Sequence, residues 1–319
     1  MLRAALEQGL VYGILAIGVY LTFRVLDFPD LTVDGSFPLG GAVAATLIVA
    51  GWNPFLATAL AAVFGYVAGI TTGVLNTKLR ISGLLSGILT MTALYSINLR
   101  IMGRSNVPLL RQDTVLTLIE GLGIPEPVRA LVLFFVVVAV FVLVVSAFLH
   151  TEFGLALRAT GDNERMIRSL GVDTDTMKIV GLGISNALVA FSGALVAQFQ
   201  GFTDVGMGIG MVVAGLASVI IGEVVVPPRT VVRAVTGAVA GSVVYRLVIA
   251  FALRAGFAPT DLKLVTAAMV VIALAAPGTT FAPLVKRYLG LGSGRAAIAG
   301  VAGSGEEPGK RAGANQEAR

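Results

Sequence analysis

Apolar runs separated by short polar segments follow one another along most of the chain, and the longer runs have the length of membrane-spanning helices. The run 130–149 contains twenty residues without a charge, enough to cross about 30 Å of hydrocarbon at about 1.5 Å per residue. The pattern predicts about nine transmembrane helices, some of them interrupted. The candidate segments are 6–24, 36–51, 55–77, 83–102, 129–149, 179–200, 208–226, 230–253 and 262–283.

Composition supports a membrane protein. Of the 319 residues, 56% are hydrophobic and 13% are charged, and the mean hydropathy is +0.90, whereas soluble domains carry about 25% charged residues. The predicted fold class is therefore an all-α integral membrane protein. With no cysteine and one histidine, the sequence offers neither a disulfide nor a Cys/His metal site. The net charge of +5 indicates basic cytoplasmic loops rather than nucleic-acid binding.

A polar, helix-breaking segment, 28–37, lies between the first two apolar runs and organises the rest of the sequence. It contains two carboxylates and two hydroxyls within ten residues. One interpretation is a loop at the membrane surface, where proline and aspartate are ordinary. The other is a broken helix, because non-helical backbone and ionisable groups are tolerated inside a membrane where protein covers them or where they line a wet pathway. The second interpretation is favoured.

The two ends of the chain share features that predict an inverted repeat. A Phe-x-Asp motif at 28–30 recurs at 202–204, each copy between two apolar runs. Four helix candidates precede the fifth and four follow it, so an odd number of spans separates corresponding elements and the second copy is inverted. The half-repeats are about 1–102 and 179–283. Inverted repeats with interrupted helices near their interface are a design of transporters.

Polar residues of these breaks are the candidates for a substrate pathway. The same carboxylates are suited to capping helix N-termini, where the macrodipole favours negative charge, and capping is the favoured role for Asp34. Asn98, Asn186 and Gln198 are predicted to form hydrogen bonds between helices. The predicted pathway residues are Asp30, Thr32, Asp34, Ser36, Asp204 and Glu223.

The polar connection 150–178 contains a short helix candidate, 163–170, that is suited to docking a partner protein. Asp162 is expected to cap its N-terminus and Gly171 to end it. Its apolar side chains and arginines would face outward, although an amphipathic helix lying on lipid headgroups has the same pattern. The predicted docking residues are Asp162, Asn163, Glu164, Arg165, Met166, Ile167, Arg168, Leu170 and Gly171.

Motifs in and after this connection resemble a known family. GLALRATGDNE at 154–164, LGVDT at 170–174 and the segment 187–201 are similar to the permease family of bacterial ABC importers for branched-chain amino acids and ribose. The resemblance covers roughly 6–283. Segment 28–37 is similar to a narrower subgroup associated with tryptophan or tyrosine uptake. One departure is Glu223, which stands where the family often has the second glycine of a pair, and it weakens any transfer of substrate from amino-acid relatives.

The resemblance implies a function and a set of partners. The chain would be a permease subunit that moves a small solute, an amino acid or related compound, across the cell membrane in a homodimer or heterodimer with a second permease copy. The connection 150–178 would carry the coupling helix, seated on cytoplasmic ABC ATPase subunits that bind the ATP, and an external substrate-binding lipoprotein would deliver the solute. The chain itself would hold no cofactor and catalyse no reaction. The segment 286–319, rich in glycine, alanine and charge, is predicted to be a disordered cytoplasmic tail.

The resemblance and the distribution of basic residues predict the orientation in the membrane, and two other functions are alternatives. The resemblance places the first residues outside the cell, and 15 of the 23 lysines and arginines then lie on the cytoplasmic side, in the direction of the positive-inside rule. The main alternative is a self-contained, proton-coupled secondary transporter that uses Asp30, Asp34 or Glu223. Intramembrane acids fit it equally well, but the motif in 150–178 does not. A membrane enzyme is a third alternative, and no reactive constellation in the sequence supports it.

Overall fold

Helices follow the apolar runs in the computed structural model, which describes residues 2–118, 125–258 and 261–275. A π-helical segment, Leu21–Val25, continues the first helix, and two short strands, β1 (Asn106–Pro108) and β2 (Phe202–Asp204), are the extended elements of the described chain. The helices are α1 (Leu2–Tyr20), α2 (Val33–Val49), α3 (Pro54–Thr77), α4 (Gly83–Met102), α5 (Val115–Leu118), α6 (Glu126–His150), α7 (Glu152–Asp162), α8 (Glu164–Ser169), α9 (Thr174–Gln200), α10 (Met211–Val225), α11 (Val231–Arg254) and α12 (Leu262–Ala275).

The all-α membrane architecture is confirmed, while the count of nine spans is not. Within the described residues, six helical stretches are long and apolar enough to cross a membrane, and α2 and α10 are shorter apolar helices. The end of the last candidate segment and the predicted tail, 286–319, lie outside the described residues. The six spans are Leu2–Val25, Pro54–Thr77, Gly83–Met102, Val128–His150, Thr174–Gln200 and Val231–Arg254.

Helix α9 is central to the packing, and glycines allow its neighbours to approach closely. It packs against α1, α2 and α3, while α1 also packs against α11. Gly65, Gly69 and Gly73 recur every four residues on α3 and all face α9; a Cβ at Gly73 would lie 2.7 Å from the Ile179 Cα. Such close backbone approach is how membrane helices gain packing contacts without a hydrophobic driving force.

The break between α1 and α2 is an irregular segment, 26–32, that lies beside the start of α4. Its residues alternate between buried and exposed, with Asp27 and Pro29 exposed. The Leu26 N–H closes the π turn on the Leu21 carbonyl oxygen at 3.0 Å, and Asp27 has a left-handed backbone with φ of 51°, which aspartate tolerates better than most residues. The segment then ascends beside α4, where the Phe28 ring contacts Gly83 and the Leu31 backbone contacts Gly87. The break thus packs against the start of α4 through Phe28 and Leu31, and its depth in the membrane stays a prediction.

Helix α2 begins earlier than the sequence pattern predicted. Its first residue is Val33 rather than residue 36, so Asp34 and Ser36 lie in the first turns of a helix and not in the break. Pro38 is the sixth residue of α2, so its missing N–H leaves the Asp34 carbonyl oxygen without its usual intrahelical donor. The Gly208 backbone packs closely against that carbonyl oxygen.

The connection after α4 is tied to the chain that leaves α9. Strand β1 pairs antiparallel with β2, with Asn106 opposite Asp204 and Pro108 opposite Phe202. Further along, the Val115 N–H donates to the Gln198 side-chain carbonyl at 3.0 Å. These bonds fix the chain on either side of β2 and so position the 205–210 turn that leads into α10.

Candidate functional site

Asp30 is the centre of a buried hydrogen-bond network that joins the break to α9. Its side chain is 0% exposed. One carboxylate oxygen accepts from the Thr32 N–H at 2.9 Å, and the other accepts from Asn186 Nδ2 at 2.8 Å. Both oxygens are therefore satisfied, as a buried carboxylate requires. The arrangement supports an interhelical role for Asp30, and a pathway role for it stays a prediction.

Hydroxyl groups extend the same network towards α3 and α4. The Thr32 and Thr72 hydroxyls are 2.7 Å apart, the Thr72 hydroxyl donates to Thr90 Oγ1 at 2.9 Å, and all three residues are buried. The break is thus hydrogen-bonded to three neighbouring helices. Thr32, a predicted pathway residue, lies inside this network.

Asp34 caps a helix of the other half of the chain. Its carboxylate oxygens accept from the Gly210 N–H at 3.0 Å and from the Val212 N–H at 2.8 Å, at the N-terminus of α10. The first N–H groups of a helix have no intrahelical partner and attract negative charge. Asp34 therefore caps a helix N-terminus, as expected, but the helix is α10, 176 residues away along the chain, and not the one predicted to begin beside it.

Asp34 also lines a cavity of about 350 Å³ between α2, α4 and the 205–210 turn. Asn98 is in the cavity wall; its Nδ2 donates to the Gly35 carbonyl oxygen at 3.2 Å, and its buried Oδ1 has no hydrogen-bond partner among the described residues. Helix α4 contributes Thr92, Tyr95 and Ser96 to the same wall, and Tyr95 is 51% exposed. Polar side chains on an exposed face of a membrane helix favour a water-filled or protein-covered surface over lipid.

The positions of Ser36 and Asp204 give less support to a pathway role than that of Asp34. The Ser36 hydroxyl is fully buried and has no hydrogen-bond partner among the described residues. The Asp204 carboxylate accepts from the Gly206 N–H at 2.7 Å, which is a local turn contact. The structure brings neither side chain together with Asp34, and their pathway role stays a prediction.

Glu223 is in an ion pair at the far end of α10. Both of its oxygens accept from the guanidinium of Arg24, with the Arg24 Nε to Oε1 distance at 2.6 Å. The carboxylate side chain is 21% exposed and the arginine side chain 56%. This two-point contact joins the π segment of the first helix to α10, about 199 residues apart in sequence.

Helix α8 occupies the predicted docking segment, with a correction to its cap. Asn163 is the N-cap, its side chain accepting from the Met166 N–H at 3.0 Å, whereas Asp162 is the last residue of α7. The predicted capping role of Asp162 is wrong by one residue. At the other end Gly171 has φ of 88° and its N–H reaches the Arg168 carbonyl oxygen at 3.1 Å, so the predicted glycine stop is confirmed.

The exposed surface of α8 differs in one residue from the prediction. Arg165, Met166 and Leu170 are exposed, with Met166 at 51% and Leu170 at 70%. Ile167, expected in the same patch, is 7% exposed and packs inward, because it lies on the face of the short helix opposite to the solvent. The candidate docking surface is therefore an arginine flanked by two exposed apolar side chains.

Ion pairs attach α8 to the start of α9. Lys178 Nζ is 2.7 Å from Glu164 Oε2, and Arg168 Nη2 is 2.9 Å from Asp175 Oδ1. The Lys178 ammonium, which donates a hydrogen bond to Glu164, holds the pKa of that carboxyl below its ordinary value, so the carboxylate stays ionised at neutral pH. Arg168 also donates to the Thr174 hydroxyl at 2.7 Å. Helix α8 is thus fixed to a membrane-spanning helix.

The predicted interhelical hydrogen bonds are confirmed. Asn98 bonds α4 to α2, Asn186 bonds α9 to the break, and Gln198 Nε2 donates to the Thr58 hydroxyl at 2.7 Å. Arg246, by contrast, was not among the predicted site residues, although it lines a second cavity beside the N-terminus of α10. The signal was available, because it is an isolated arginine inside an apolar span.

Most of the chain is similar to one family of membrane transport proteins. Residues 1–275 match the family model described as branched-chain amino acid transport system / permease component. A tyrosine transport system permease protein of Clostridioides difficile (strain R20291) is 44% identical over 275 residues, covering 86% of this chain and 90% of that protein. An uncharacterized protein of Rickettsia prowazekii (strain Madrid E) is 34% identical over 278 residues, covering 86% and 96%.

A more distant similarity extends to sugar permeases. The ribose import permease protein RbsC of Escherichia coli (strain K12) is 25% identical over 217 residues, which cover 68% of this chain and 67% of that protein. No solved structure matches the chain.

Proposed function

The chain belongs to the branched-chain amino acid transport permease family, and from that premise we propose that it is the membrane-spanning subunit of an ATP-driven importer for an amino acid, with tyrosine as the first candidate. The family prediction made from segments 154–164 and 170–174 is confirmed by the match over residues 1–275. Tyrosine is proposed from the name of the 44% identical relative.

The observation that carries the ATP-driven mechanism is the attachment of α8. This helix presents Arg165, Met166 and Leu170 outward, and it is joined to α9 through the Glu164–Lys178 and Arg168–Asp175 ion pairs. A docked ATPase that pulls or pushes on α8 would therefore move α9, which contacts α1, α2 and α3. A secondary transporter does not need such a helix for coupling, so the attachment of α8 favours the ATP-driven mechanism.

The remaining parts of the proposal concern partners. Cytoplasmic ATPase subunits would bind and hydrolyse the ATP, and the chain itself would hold no cofactor and catalyse no reaction. A second permease copy would complete the membrane portion, and an external substrate-binding lipoprotein would deliver the amino acid. Among the predicted pathway residues, Asp34 lines the cavity beside α4, and a carboxylate there is suited to the ammonium group of an amino acid.

We also propose the inverted repeat and the nine membrane segments. Helix α1 packs against α11, and α9 packs against α3, so the first helix of each proposed half contacts the third helix of the other. This reciprocal packing is what two inverted copies related by an axis in the membrane plane would give. The short helices α2, α10 and α12 would be the additional segments.

Reconstitution tests the proposed function. The chain is copurified with its ATPase, placed in proteoliposomes with the binding protein, and labelled tyrosine uptake is measured with and without ATP. The double variant R165D/M166D is expected to lower uptake at least tenfold while the purified protein keeps its elution volume and thermal midpoint, since both side chains are exposed.

A matched control is the double variant L110D/R111D, which changes an exposed leucine–arginine pair in the connection after α4 and should leave uptake unchanged. Unaltered uptake in R165D/M166D would place the ATPase contact elsewhere. Uptake that persists without ATP and collapses with the proton gradient would instead show a secondary transporter.

A further inference from the structure

Arg246 is a charged residue inside an apolar span, and its side chain forms no hydrogen bond with another described residue. It is partly buried in α11, and its Nε is fully buried without a hydrogen-bond partner among the described residues. Within residues 2–118, 125–258 and 261–275, no carboxylate lies within ion-pair distance of its guanidinium. A buried guanidinium without an anion is costly in a membrane, and such residues usually mark a pathway or binding site.

Aromatic rings hold the guanidinium in place and leave its edges free. The Arg246 Cζ lies 3.5 Å from the centroid of the Tyr12 ring and 5.8 Å from that of Tyr245. Tyr12 is in turn stacked on Phe37, with ring centroids 5.7 Å apart. Stacking on a ring uses the face of the guanidinium, whereas its N–H groups lie in the plane and remain available for a planar, two-oxygen acceptor.

Arg246 borders a cavity of about 420 Å³ between the start of α10, α11 and α12, a size typical of small-molecule sites. The hydroxyl groups of the wall are already satisfied: the Tyr245 and Thr266 hydroxyls are 2.9 Å apart, and Thr266 donates to the Leu262 carbonyl oxygen at 2.8 Å. The rest of the wall is largely apolar, with Met211 and Ile249 among its residues. Among the described side chains of the wall, the arginine is therefore the donor left without a partner.

We infer that Arg246 binds the carboxylate of the transported amino acid as it passes through this cavity. The inference rests on the proposed function and adds a site to it. A carboxylate fits because two parallel hydrogen bonds from a guanidinium match its two oxygens. A lipid phosphate does not, because Arg246 lies eight residues before the end of α11, about 12 Å below that end at about 1.5 Å per residue. Ile209 lines this cavity and the one beside Asp34, so the two form neighbouring parts of one region.

The test uses the purified full-length chain in detergent and needs no ATPase. Its thermal midpoint is measured by size-exclusion chromatography while L-tyrosine or L-tyrosinamide, which lacks the carboxylate, is titrated. Wild-type protein should be stabilised by tyrosine, with a dissociation constant at least tenfold lower than that for the amide. The variant R246Q should lose this preference, and R246K, which keeps the charge but not the fork geometry, should keep part of it.

Arg254→Gln is the matched control, since Arg254 is an exposed arginine at the end of the same helix, and it should bind tyrosine like the wild type. Equal binding of tyrosine and its amide to the wild type, no stabilisation by either, or unchanged tyrosine binding by R246Q would each overturn the inference. So would conversion of a dimer to a monomer by R246Q with ligand preference intact, because Arg246 would then pair with a second copy. If R246Q does not fold, R246K and the amide comparison still decide. A chain that prefers tyrosine here but fails in ATP-driven uptake would retain the site and lose the proposed function.

Discussion

The two Phe-x-Asp segments share a motif and differ in what surrounds it. In the first, Asp30 is fully buried and both of its oxygens accept hydrogen bonds, one of them from Asn186 on another helix. In the second, Asp204 ends strand β2 and accepts a bond from Gly206, two residues along the chain. The aspartate of the motif thus forms a long-range hydrogen bond at the first break and a local turn contact at the second.

The difference shows that the segment packed against each break determines which hydrogen bonds its aspartate forms. Asn186 lies on α9, whose glycine-lined contact with α3 brings it to the first break. At the second break, strand β2 pairs through its backbone with β1. Among the described residues, the Asp204 side chain therefore bonds only within the turn that follows β2, to the Gly206 N–H. Asp34 connects the two breaks, because it lies just after the first and caps the helix that follows the second.

Removing the first acid should have the largest effect. Asp30→Ala leaves the Thr32 N–H and one Asn186 N–H without an acceptor in a buried site, at about 1–3 kcal/mol for each group, so we expect a loss of about 2–6 kcal/mol and a much lower thermal midpoint. Asp204→Ala, the matched change at the second break, should cost less than about 1 kcal/mol. Size-exclusion thermostability of the two variants measures the difference. Equal losses would contradict the comparison.

An intermediate effect is expected for Asp34, which caps α10. Replacement by alanine removes acceptors for the Gly210 and Val212 N–H groups, and losing a helix cap costs about 1–2 kcal/mol. Asp34→Asn keeps one acceptor oxygen and should lose less. Amide hydrogen exchange at the start of α10 should accelerate in the order wild type, Asn, Ala. Unchanged exchange in Asp34→Ala would show that the cap does not hold α10.

The smallest effect is expected for the Arg24–Glu223 pair at the other end of α10. Because the arginine side chain is 56% exposed, solvent screening limits the pair to about 0.2–1 kcal/mol. Arg24→Glu and Glu223→Arg should each lower the thermal midpoint slightly, and the double reversal should recover most of the loss. A double-mutant cycle on thermal stability measures the coupling. Purely additive losses would mean that the pair does not connect the two halves.

Much of the fold could be predicted because its determinants are local. Apolar runs and their flanking prolines and glycines located every membrane-spanning helix of the described chain within several residues. Helix α7 was missed, although Thr151 before Glu152 is a usable cap signal. The β1–β2 ribbon could not be predicted, because three-residue strands that include Pro108 fall below any periodic pattern.

The site was harder to predict because its determinants lie far apart in sequence. Nothing near Asp34 indicates that its partners are Gly210 and Val212, and nothing near Asp30 distinguishes it from Asp204. The cap of α8 was assigned to Asp162 rather than Asn163 because both residue types are good caps, so the sequence alone does not separate them. Local chemistry identified the polar residues, and tertiary packing decided which of them meet.

Helix α9 connects the short helix α8 to the first break through one continuous helix. It runs for 27 residues without a proline, from the ion pair at Lys178 to the bond between Asn186 and Asp30 eight residues later, about 12 Å at about 1.5 Å per residue. The backbone is continuously helical over this distance, so the ion pair and the buried hydrogen bond are held at a fixed separation along the helix axis. If an ATPase docks on α8 as proposed, a displacement of α8 would be transmitted along α9 to the bond between Asn186 and the buried Asp30, which is one of several contacts that α9 makes with the neighbouring helices.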